Sequence, residues 1–126
     1  MYKFLSQIGI ILLASVCVFN IPAESGINKK NFKSKTVHQL IDLLGDDELL
    51  EKKVTKLVNK SNLNLMCKLH LYSLPMEVSW RKQTMIDTKN DKNIPNQYKN
   101  QVMQEVLVAN NEMTNRQLGF IDLYCD

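Results

Sequence analysis

The chain has 126 residues, with 16 Lys and Arg against 13 Asp and Glu, and a formal charge of +3. That length supports one domain with a modest core. So small a net charge is not the footprint of a dedicated nucleic-acid binder, and three cysteines fall far short of a toxin-like disulfide scaffold.

The chain opens on a short basic start at Lys3, followed by an apolar run from Ile8 to Phe19 broken only by Gly9 and Ser15. Small residues follow at Ala23 and Ser25. This three-part order is that of a cleavable secretory signal over residues 1–25, with cleavage before Gly26 or after Ala23. The run is 12 residues long, against the ~20 that a membrane-spanning helix needs. The expectation is therefore a secreted, extracellular chain with no stable membrane insertion after the signal is removed. Cleavage takes Cys17 away and leaves Cys67 and Cys125, an even pair in an oxidising route, so a disulfide between them is expected.

Residues 26–35 form a basic N-terminal arm in which Lys29, Lys30, Lys33 and Lys35 surround a lone Phe32. The arm is expected to be loose and solvated. Its lysines are the candidates for weak contact with an anionic surface.

A single helical domain is expected over 36–126. Val37, Leu40, Ile41 and Leu44 fall at i, i+3, i+4 and i+7 and predict a helix that Gly45 stops. Asp46 or Asp47 can cap a second helix, with Leu50, Val54, Leu57 and Val58 as its apolar stripe. Asn59-Lys60-Ser61 has the form of an N-glycosylation sequon, which makes Asn59 a candidate glycan site in an exported chain.

Residues 63–71 alternate Leu63, Leu65, Cys67, Leu69 and Leu71 with mostly polar neighbours, a strand period. Leu65, Leu69, Tyr72 and Met76 also lie at i, i+4, i+7 and i+11, a helix period. The stretch lacks β-branched residues and is rich in Leu, Met and Lys, so a helix ending near Pro75 is preferred. Met76 to Thr84 is read as a further short helix holding Trp80, Arg81 and Lys82. These three and Met85 are the candidate contacts for a protein partner. Asp87 to Pro95 reads as a loop. After a cap at Asn96, Tyr98, Val102, Val106, Ala109 and Met113 are expected to face inward. Thr114-x-x-Gln117 has the form of a capping box opening a last apolar segment, Leu118 to Leu123.

Chemistry-bearing constellations are sparse. The two histidines are His38 and His70. Cys67 and His70 have the spacing of half a metal site with nothing to complete a tetrahedral set. Asp46, Asp47 and Glu48 lack the spaced oxygens and turn glycine of a Ca²⁺ loop, and a helix N-terminus accounts for them. No nucleophile elbow, zincin or phosphate-loop pattern occurs.

The expectations are thus an all-α bundle of about four or five short helices with one disulfide, the alternative being α+β with a short strand at 63–71. No catalytic residue, cofactor or metal is assigned. Function is expected to be that of a secreted, non-enzymatic effector or binding protein acting on an extracellular protein or receptor, of hormone-, venom-, saliva- or seminal-fluid-like plainness. The alternative is an extracellular carrier of a small apolar ligand, for which the mature chain's methionines are candidate lining.

Overall fold

A computed structural model describes residues 26–125, and the predicted signal segment and Asp126 lie outside the described residues. Among the described residues four α-helices follow one another: α1 Lys35–Asp42, α2 Asp47–Val58, α3 Leu65–Asn90 and α4 Asn96–Cys125. The described residues contain no strand, so the α+β alternative at 63–71 falls and the helix period wins there. None of the described helices is long and apolar enough to cross a membrane.

Side-chain caps start the first three helices. Ser34 Oγ accepts from the Val37 amide at 3.2 Å, Asp46 Oδ1 from Leu49 at 3.1 Å and Asn64 Oδ1 from Cys67 at 2.8 Å. Each satisfies one of the amides that a helix start leaves unpaired. The expected stripes of α1 and α2 are both buried: Val37, Leu40, Ile41 and Leu44 on the first, Leu50, Val54, Leu57 and Val58 on the second. They meet Cys67, Leu71, Leu74 and Val78 of α3 and Leu118 and Ile121 of α4 in one core.

The number of helices agrees with expectation, but the last two are longer than expected. α3 runs for 26 residues and α4 for 30, because segments that read separately in the sequence fuse. The helix expected to end near Pro75 passes through it. Proline removes a helix hydrogen bond, yet buried Leu74 and Val78 bracket it, and packing on both sides overrides the local preference. Thr114 and Gln117 open no new helix; they lie inside α4 and turn inward. The inner face of α4 is also rotated from the expected one. Met103, Leu107, Thr114, Leu118 and Ile121 are buried, whereas Tyr98 and Ala109 are exposed and Val102, Val106 and Met113 are half-buried. Polar Thr114 and Gln117 interrupt the true inner stripe, which hides its period from a purely apolar count.

Residues 26–35 also differ from the loose arm expected. Ile27, Phe32 and Ser34 are buried, and Lys29–Asn31 form a 3-10 turn capped by Asn28. The Asp122 carboxylate of α4 accepts from the backbone amides of Lys33 at 3.1 Å and Ser34 at 2.7 Å. His38 Nε2 lies 3.0 Å from the Lys29 carbonyl and 2.9 Å from that of Phe32. Both neighbours are acceptors, so this nitrogen carries the proton and donates. The segment is strapped to α1 and α4 rather than loose.

The Cys67–Cys125 disulfide forms as expected, with Cα atoms 4.8 Å apart, within the ordinary range for the bond. It joins the first turn of α3 to the last residue of α4. At the far end of the α3/α4 pair, Lys99 Nζ donates to the carbonyls of Thr88, Lys89 and Asp91 at 3.2, 3.2 and 2.5 Å. An ammonium there satisfies the orphan carbonyls that close α3.

Candidate protein-binding surface on α3

Helix α3 carries two apolar stripes. Cys67, Leu71, Leu74 and Val78, with Arg81 continuing the period, fall at i, i+4, i+7, i+11 and i+14 and are buried. Leu65, Leu69, Tyr72, Met76 and Trp80 fall at i, i+4, i+7, i+11 and i+15, and are 69%, 52%, 60%, 69% and 65% exposed. The two sets are offset by about two residues, roughly half a helical turn, so they occupy opposite faces. The sequence period Leu65–Met76 is therefore real, but it marks the face turned away from the core. The disulfide explains the choice. Cys67 must reach Cys125 on α4, and Leu71, Leu74 and Val78 share the face that this contact turns inward.

The exposed stripe forms a ridge between two surface grooves. On one side, Asp47, Glu51, Val54 and Thr55 of α2 face Tyr72, Pro75, Met76 and Ser79 of α3 across a groove of about 360 Å³. On the other, a cleft of about 260 Å³ separates α3 from α4. His70 closes one end of this cleft, stacked on Phe120 with centroids 5.0 Å apart and on Tyr124 at 5.6 Å.

The floor of the cleft is a polar network. The Arg81 guanidinium donates from Nη1 to Thr114 Oγ1 at 2.8 Å and from Nη2 to Glu77 Oε1 at 2.8 Å. Gln117 Nε2 donates to Ser73 Oγ at 2.7 Å and to Glu77 Oε2 at 3.2 Å. Arg81 Nε finds no acceptor among the described residues. Burial pushes the Arg81 guanidinium down from its ordinary value, and the Glu77 carboxylate opposes that shift. The groups bond chiefly to one another, so the network welds α3 to α4; no nucleophile–base pair stands ready in it. Among the described residues no cluster of three or more His, Cys, Asp or Glu is placed to hold a metal ion.

The four residues singled out in sequence for a partner contact part company around the helix. Trp80 stands on the exposed ridge. Arg81 is withdrawn into the cleft floor. Lys82 Nζ pairs with Asp47 of α2 at 2.6 Å, and Met85 is half-buried beside Val78 and Leu107 on the inner side. Neighbours in sequence point about 100° apart on a helix, so Trp80, Arg81 and Lys82 cannot share one face. Lys30, Lys33 and Lys35 are exposed, and Lys29 pairs with Asp42. Asn59 is exposed as the C-cap of α2. The signal that could have found the ridge was in the sequence: two apolar stripes on one helix, of which a two-sided bundle contact can bury only one.

No protein-family model matches the chain, and no curated protein or solved structure is significantly similar to it.

Proposed function

We propose that the chain is a secreted, non-enzymatic binding protein that acts on an extracellular protein partner. The single observation that carries this reading is the exposed ridge Leu65, Leu69, Tyr72, Met76 and Trp80. Its side chains leave on the order of 600 Å² open to water, the size at which an apolar patch on a monomer marks an interaction site. Two aromatics and a methionine are among its members, the residue types that anchor protein interfaces. Export is supported by the signal-like first 25 residues and by the bridged Cys67–Cys125 pair. The carrier reading has less behind it, since the α2/α3 groove of about 360 Å³ and the α3/α4 cleft of about 260 Å³ both lie open at the surface, whereas a carrier needs a cavity that buries most of its ligand.

The test is affinity capture from extracellular fluid with the wild-type chain and with Tyr72→Glu and Met76→Glu variants whose helical circular dichroism is unchanged. A partner retained by the wild type and lost from both variants is expected. A partner held equally by all three, or no specific partner, would contradict the reading.

A further inference from the structure

We infer that the ridge of α3 pairs with the same ridge of a second copy of this chain, with the two helices antiparallel. The inference rests on the reading of the ridge as a protein-binding surface and names its first occupant. The second copy and an outside protein then compete for the same ridge, which is free for the outside protein when the pair falls apart on dilution.

The spacing of the ridge is what selects a copy of itself. Leu65 and Trp80 are equally distant from the midpoint of the stripe, and so are Leu69 and Met76, with Tyr72 at the centre. Turning the helix end over end about Tyr72 maps the stripe onto itself. Leu65 then lies across from Trp80 of the second copy, Leu69 across from Met76, and Tyr72 beside its own equivalent. At both ends a leucine faces the larger Trp80, and side-chain ridges of unequal reach can interdigitate there. A two-fold pair is also the commonest closed assembly, and it needs one self-complementary patch only.

Charge agrees with this orientation. No ridge position between Leu65 and Trp80 is charged. Lys68 lies on the α2 side of the ridge, where Asp47 and Glu51 line the groove beside Pro75, Met76 and Ser79. An antiparallel two-fold brings the α2 side of one copy against the α2 side of the other. It sets Lys68 at the level of Glu77 in the second copy, where Glu51 lines the groove wall. Side-by-side parallel pairing instead turns Lys68 toward the α4 flank at the level of His70, about nine residues along the helix from Glu77. Each copy offers at most roughly 600 Å² from the ridge, less than the ~800 Å² per partner of a standard interface, which fits a pair that dissociates on dilution.

Sedimentation equilibrium of the purified chain, with no other protein present, tests this. Twice the single-chain mass is expected at tens of micromolar, falling on dilution. Met76→Glu is expected to weaken pairing at least tenfold with unchanged helical circular dichroism. Lys68→Glu is expected to weaken it, and Glu51→Lys added to the same chain to restore it. A single-chain mass at every concentration would overturn the inference, as would a pair that Met76→Glu leaves intact or that the charge swap fails to rescue. A chain that stays single yet still captures an outside protein through the ridge would sink the pairing and leave the proposed function standing. A pair that captures nothing would do the reverse.

Discussion

Arg81 places a guanidinium between α3 and α4 with 6% of its surface exposed, tied to Thr114, Gln117 and Glu77. Such a buried charge need add little net stability while it is paired, but removing it leaves its acceptors stranded. Arg81→Ala is therefore expected to destabilise the chain by about 1–3 kcal/mol, read as a shift of the denaturant midpoint. A change below about 1 kcal/mol would mean that the acceptors re-pair with water and that the network does not join the helices. Arg81 reads in the sequence as one of a basic Trp-Arg-Lys run. Its interior role was not legible there, because its partners Thr114 and Gln117 lie on another helix and resemble a helix start.

At the scale of elements, α1 and α2 were legible almost residue by residue, since each has one apolar stripe and one side-chain cap. Helices α3 and α4 were legible as helix but not in orientation. Each carries a second apolar stripe, and α4 breaks its inner one with Thr114 and Gln117. Substitution separates the two faces of α3. Leu71→Ala, on the buried face, is expected to cost about 2–5 kcal/mol through lost burial and the cavity left behind. Leu69→Gln, two residues away on the ridge, is expected to change the stability of the unpaired chain by less than about 0.5 kcal/mol. Similar costs from both, in thermal or urea unfolding at dilute concentration, would mean that the ridge is part of the core. Proline at position 75 is a separate element-scale case. Pro75→Ala restores an amide donor inside α3 and is expected to stabilise by about 1–3 kcal/mol, and a loss of stability would contradict that.

At the scale of the whole molecule, the disulfide closes the chain between residues 58 apart in sequence. Loop-closure entropy assigns such a bridge about 4 kcal/mol, a large share of the ~5–15 kcal/mol that holds a small domain together. Replacing both Cys67 and Cys125 with Ala is expected to lower unfolding stability by about that amount. A loss below about 1 kcal/mol would show that the α3/α4 pair needs no staple. The bridge also has a functional consequence. By turning the Cys67 face of α3 inward it turns Leu65, Leu69, Tyr72, Met76 and Trp80 outward. Cysteine parity outside the expected signal segment made the pairing legible in the sequence; the outward ridge that follows from it required knowing which helix holds the other cysteine. Site-specific photo-crosslinking reads out whether that ridge contacts protein. A photoreactive residue at Met76 is expected to give discrete crosslinked protein species in extracellular fluid, while one at Lys52, exposed on α2, gives none. Equal yields from the two positions, or no crosslinked species from Met76, would contradict it.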